Sequence, residues 1–141
     1  MKTFNLHFDG SILDENRMNL PTYSGIYLVY RGVLSADSTR LNCHDIVYIG
    51  QSDNIRRRII THDKRTEFLQ TLLAGEVLFY SYAKCDEESL NRIENALIFR
   101  MQPKLNEQGK ESFLYPSTTV ISDGQCALLK SNIIINNPLN V

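Results

Sequence analysis

Two short runs constrain the fold of this chain more than any others. Gly25-Ile26-Tyr27-Leu28-Val29-Tyr30 and Asp45-Ile46-Val47-Tyr48-Ile49 are rich in β-branched and aromatic residues. A glycine borders each, Gly25 at the start of the first and Gly50 after the second. In the first run Ile26, Leu28 and Tyr30 share one face of a strand, and Tyr27 and Val29 share the other. Residues 31–44 contain Gly32, Ser35, Asp37, Ser38 and Asn42 and read as a polar connection, so the two runs are expected to pair antiparallel across a long hairpin loop. Val77–Ala83, dense in Phe and Tyr, reads as a third strand. A short strand is expected over Phe4–Phe8, closed by a turn at Asp9-Gly10. Two more, Thr118–Ile121 and Ala127–Ile135, are expected around a hairpin turn at Asp123-Gly124.

Helical spacing appears in three places. Ser52-Asp53-Asn54 offers capping oxygens for a helix from about Ile55 to His62. Phe68, Leu69, Leu72 and Leu73 place a second over Thr66–Ala74, ended by Gly75. Asp86 is positioned to cap a third, with Glu87 and Glu88 in its first turn, that reaches Met101 and stops ahead of Pro103. The mixture gives an α+β class: a central antiparallel three-stranded sheet flanked by helices, with extra strands toward both ends.

A chain of 141 residues has room for one ordinary domain. Its 43% hydrophobic and 22% charged residues exclude a disordered chain. No run of about 18 apolar residues occurs, so no spanning helix is expected. The alternating N-terminus does not read as a signal peptide. Cys43, Cys85 and Cys126 form no C-x-x-C pair, which points away from a zinc cage or disulfide framework and toward reduced thiols in the cytoplasm. A net charge of −1 argues against bulk attraction to nucleic acid. Arg56, Arg57, Arg58, Lys64 and Arg65 nevertheless fall within ten residues while acidic residues gather elsewhere, so one basic face is expected.

Some polar residues sit where apolar ones belong. On the third helix Leu90, Ile93, Leu97, Ile98 and Met101 form the apolar stripe, and Glu94 lies inside it. A core-facing carboxylate is costly unless it is paired or binds a metal. On the first helix Ile55 and Ile59 mark the buried side; Arg58 and His62, four residues apart, flank them while Arg57 points away and Arg56 sits at the margin. Periodicity leaves two arrangements open: a closed Arg58–Glu94 ion pair, or a cleft that both border. His62 has a bland reading as a hydrogen-bonded helix-terminal histidine, and Tyr27 and Tyr48 have one as strand packing.

These residues also resemble a family. Gly25-Ile26-Tyr27 and Tyr48-Ile49-Gly50 are the two tripeptides that name the GIY-YIG nucleases. Leu20-Pro21 is similar to the family's lead-in, and Gly50 through Arg58 to its glycine-to-arginine segment, with Arg58 at the position of the catalytic arginine. His62 and Glu94 match a frequent histidine and the metal-binding glutamate. Pro103-Lys104-Leu105-Asn106 resembles the closing motif, with Asn106 at its asparagine. The likeness spans residues 20–106, as a small stand-alone domain similar to the N-terminal nuclease domain of the bacterial excision-repair endonuclease. It departs from the family in the long spacing between Tyr27 and Tyr48. Residues 1–19 and the β extension at 108–141 have no counterpart in it.

The resemblance implies a metal-dependent endonuclease, with DNA favoured over RNA as substrate. Glu94 would hold one Mg²⁺ or Mn²⁺, and Arg58 would stabilise charge at phosphorus. Tyr27 would act as general base, with Tyr48 and His62 positioning the water or relaying its proton. Arg56, Arg57, Lys64 and Lys104 would contact phosphates. Gly25, Gly50 and Asn106 would support the site. No membrane partner is implied; a protein partner or a second copy would supply targeting. The alternative is a catalytically inactive nucleic-acid-binding or accessory protein on the same fold.

Overall fold

The computed structural model describes residues 1–138 and has an α+β architecture built on one mixed sheet. In chain order the elements are β1 (Lys2–Leu13), β2 (Gly25–Leu34), β3 (Leu41–Ser52), α1 (Ile55–Ile60), α2 (Arg65–Gln70), β4 (Val77–Lys84), α3 (Leu90–Met101), β5 (Thr118–Gly124) and β6 (Asn132–Ile135). The strands lie in the order β3-β2-β4-β1-β5-β6. The expected antiparallel trio is present as β3-β2-β4, but it is half of a six-stranded sheet and not a sheet by itself. The long β1 makes the difference, pairing antiparallel with β4 on one side and parallel with β5 on the other. Residues 139–141 of the expected C-terminal extension lie outside the described residues.

Several local expectations are corrected. The 31–44 connection is mostly strand, since Gly32, Val33 and Leu34 pair with Cys43, Asn42 and Leu41. Its polar composition serves side-chain bonding instead of a loop: Arg31 and His44 both bond the Glu76 carboxylate, at 2.6 and 2.5 Å. Asp9-Gly10 is no turn; it lies inside β1, where the register with β4 shifts between Asp9 and Ile12. Asp123-Gly124 ends β5 instead of turning a hairpin. There Gln125 N–H donates to Phe8 O at 2.8 Å, and the chain reverses over 125–131, so only Asn132–Ile135 of the expected last strand forms. The second helix stops at Gln70, where Thr71 N–H donates to Phe68 O at 3.1 Å and closes a tight turn, leaving Leu73 exposed. Asp86 does not cap with its side chain; a 3-10 turn at Glu87–Ser89 leads into α3.

The two faces of the sheet bury separate cores. One face carries Ile26, Leu28, Tyr30 and Ile49 and packs against α3 through Ile93, Ala96 and Leu97. The other carries Tyr27, Val29, Val47 and Tyr80 and packs against Ile55 and Ile59 of α1 and Phe68 of α2. The alternation read in β2 is this division. α1 and α3 therefore lie on opposite faces, and side chains from both line one cleft at the β3 edge of the sheet. Among the described residues no helix is long and apolar enough to cross a membrane.

Candidate active site

The β2–β3 register sets Tyr27 opposite Gly50 and Val29 opposite Tyr48, so both tyrosines rise from one face. Their rings lie nearly parallel, 6.3 Å apart. Gly50 has to lack a side chain: a Cβ there would overlap the Tyr27 ring and hydroxyl, its Cε2 contact falling at 2.7 Å. Gly25 is held in the same way, beneath the Ala83 carbonyl.

Asn54 caps α1, its side chain accepting from Arg57 N–H at 3.0 Å, and so fixes the helix that brings Arg58 and His62 toward the tyrosines. His62 is buried, with Nε2 2.8 Å from the Tyr27 hydroxyl oxygen. Its Nδ1 accepts from Lys64 N–H at 3.1 Å. Burial first, then the Arg58 charge, lower its pKa to about 4, so the ring is neutral near pH 7. With Nδ1 accepting, the proton sits on Nε2 and is donated to Tyr27. Tyr27 keeps its own proton: burial, and next to it Tyr48, raise its pKa, while Arg58 pulls the other way.

Tyr27 is 1% exposed and does not reach solvent. Tyr48, half-buried in front of it, does. With Arg58, Lys64, Glu94 and Asn106 it lines an open cleft of about 240 Å³ at the β3 edge. Burial and the Glu94 carboxylate raise the Tyr48 pKa; Arg58 and Lys64 oppose them. Asn106 braces the rim. Its Oδ1 accepts from Ile49 N–H and its Nδ2 donates to Ile49 O, both at 2.9 Å, which covers the exposed edge of β3.

Glu94 and Arg58 do not close into an ion pair. Arg58 instead pairs with Asp63 at 3.1 Å and stays 36% exposed. Among the described residues no cation lies within 4.0 Å of the Glu94 carboxylate. Gln51 Nε2 donates to it at a long 3.5 Å, and Gln51 is itself held by Asn91. Burial accordingly raises the Glu94 pKa, against the pull of Gln51 and Arg58. A half-buried carboxylate without a counter-charge, at the wall of a polar cleft, fits a hydrated divalent cation. Among the described residues no cluster of three or more His, Cys, Asp or Glu side chains could share such an ion, so water and substrate oxygens would complete its shell.

The basic face is not open as expected. Arg57 pairs with Asp53 at 2.9 Å, Arg58 with Asp63, Lys64 with Glu107 and Glu67 at 3.3 and 3.5 Å, and Arg65 with Asp14 at 2.5 Å. Arg56 donates from Nε to Leu20 O at 2.7 Å and does not line the cleft. Lys104 is exposed but lies beside Asp45 in a separate shallow groove. Of the four basic residues expected at phosphate, Lys64 alone lines the cleft.

Residues that sequence reasoning passed over complete the site: Gln51 and Asn91 beside Glu94, Asp63 against Arg58, and Asn95 next along α3. Asn95 lies off the apolar stripe and is buried by the segment after α3, whose Gly109, Ser112 and Leu114 backbone it bonds, so the helical-wheel argument that singled out Glu94 does not reach it. The largest cavity described, about 500 Å³, lies under the 38–43 hairpin and contains none of the expected site residues. Comparison of the chain with protein-family models, curated proteins and solved structures gives no match.

Proposed function

We propose that this protein is a metal-dependent endonuclease that hydrolyses phosphodiester bonds, with DNA as its substrate, by GIY-YIG chemistry. The observation that carries the reading is the meeting of Tyr48, Arg58 and Glu94 on the wall of one open cleft, from a strand and from two helices on opposite faces of the sheet.

In this reading Glu94 holds one Mg²⁺ or Mn²⁺, which when bound supplies charge neutralisation at the phosphate. Arg58 stabilises the negative charge that grows on the non-bridging oxygens as water adds to phosphorus. Its guanidinium stays ionised and remains partly open to the cleft despite Asp63. Water attacks, the P–O3′ bond breaks, and the products carry a 5′-phosphate and a 3′-hydroxyl. The general base passes from Tyr27, which burial seals off, to Tyr48, whose hydroxyl meets the cleft. The Arg58 and Lys64 charges favour its ionised form. Tyr27 and His62 hold Tyr48 from behind, by stacking and by their mutual hydrogen bond. Lys64, which lines the cleft, offers a phosphate contact in competition with its pairing to Glu107.

The paired basic cluster favours a second reading, an inactive accessory protein that holds nucleic acid weakly or not at all. Nicking of supercoiled DNA in Mg²⁺ or Mn²⁺ separates the two. The nuclease reading expects nicks that EDTA abolishes. Nicking that persists in EDTA removes the metal, and absence of nicking across nucleic-acid substrates favours the accessory role.

A further inference from the structure

A second cavity, of about 230 Å³, adjoins the cleft and shares Glu94, Ile98 and Gln108 with it. Its outer wall comes from the segment after α3, which has no counterpart in the nuclease resemblance. Asn95 fixes that wall. It is buried, and both atoms of its amide are engaged: Nδ2 donates to Gly109 O at 3.2 Å and Ser112 O at 3.0 Å, and Oδ1 accepts from Leu114 N–H at 3.0 Å. The notch is therefore built in advance of any ligand.

Its lining has two characters. Leu114, 74% exposed although apolar, and the half-buried Tyr115 ring put apolar surface into the lining. Phe113 supports the ring, with centroids 5.7 Å apart. Asn91 and Ser112 also line the notch and bring an amide, whose oxygen Gln51 already engages, and a hydroxyl. Glu94 is the single charged side chain in the lining. An aromatic ring for stacking beside neutral hydrogen-bonding groups, with no basic side chain among the described lining residues, suits a nucleobase better than a phosphate.

Taking the nuclease reading as its basis, we propose that this notch holds the base of the nucleotide next to the scissile phosphate, and so selects substrates in which that base is unpaired. A base still stacked in a duplex cannot enter without being extruded. Extrusion costs a few kcal/mol and is least for single-stranded, mismatched or flap nucleotides. Leu114 and Tyr115 give the face contact, Asn91 the edge contact, and Asn95 acts as the positioning residue that keeps the wall in place.

The test uses single-stranded DNA oligonucleotides of one sequence with an abasic residue placed, one position at a time, across the cut site, under single-turnover conditions in Mg²⁺. The proposal expects cleavage to fall about tenfold when the missing base is adjacent to the cut and to change little when it is elsewhere. Leu114→Ala, at an exposed position that folding does not depend on, should lower cleavage of the intact oligonucleotide toward that of the abasic one. Equal cleavage of intact and abasic substrates overturns the base site and leaves the nuclease standing. No cleavage of single-stranded DNA by a protein that nicks supercoiled DNA overturns the base site alone, and no cleavage of either overturns both. A Leu114→Ala protein that keeps the full base dependence also counts against the notch.

Discussion

Gly50→Ala tests the packing on which the site depends. The added methyl would fall on Cζ and Oη of Tyr27, a side chain that is 1% exposed and cannot swing into solvent. Overpacking of this kind costs about 1–3 kcal/mol. Displacing the ring also breaks its 2.8 Å hydrogen bond with His62, and stranding those two buried groups costs about another 1–3 kcal/mol. A total near 4 kcal/mol is a large part of the 5–15 kcal/mol expected for a whole domain. Urea unfolding should therefore show a marked fall in midpoint for Gly50→Ala. In a Tyr27→Val background the ring is gone, and the same substitution should cost less than about 1 kcal/mol. A cost under about 1 kcal/mol in the parent protein, or an equal cost in both backgrounds, refutes the proposed contact between Gly50 and Tyr27.

Further expectations concern charge. Burial works against ionisation of Asp14, but hydrogen bonds from Arg65 and Tyr80 prevail and hold its pKa below the usual carboxylate range. The stability it contributes is complete above about pH 4 and is lost as acid brings the pH down through its depressed folded value. Asp14→Asn should flatten that acid limb in urea midpoints measured from pH 5 to 2; an unchanged limb counts against the assignment. Glu94 has the opposite sign. Its raised folded pKa means that stability falls as pH rises from the ordinary glutamate range through the folded value, so Glu94→Gln should be more stable than the parent near pH 7 and indistinguishable from it in acid. Thermal melts at both ends of that range check it, and a destabilised variant at neutral pH would contradict it. Arg58→Ala should lose about 3 kcal/mol of transition-state stabilisation, a rate loss of about a hundredfold, and a loss under tenfold would argue against its role at phosphorus.

The sequence carries the two buried faces and the odd carboxylate, because both depend on local periodicity. Alternation in β2 separates Tyr27 and Val29 from Ile26, Leu28 and Tyr30, and the structure divides its two cores at that line. The helical stripe of α3 marks Glu94 as out of place, and its lack of a cation partner keeps it so. What escaped depends on partners distant along the chain. Arg31 and His44 look like loop residues until Glu76, more than thirty positions away, accepts from both and lets the hairpin lengthen. Lys64 and Arg65 read as part of a basic face until Glu107 and Asp14, 43 and 51 positions away, are folded against them. The burial of Tyr27 behind Tyr48 follows from the pairing of two strands and the placement of α1, and no spacing rule reports it.

The most direct measurement pairs binding with cutting in one variant. Glu94→Gln and the parent protein are compared on a labelled panel of single-stranded, flap, junction and duplex DNA, with affinity read in EDTA and cleavage in Mg²⁺. The account predicts that the parent cuts at least one of them, and that the variant binds that substrate as tightly yet leaves it whole. Cleavage by Glu94→Gln at the parent rate would contradict it.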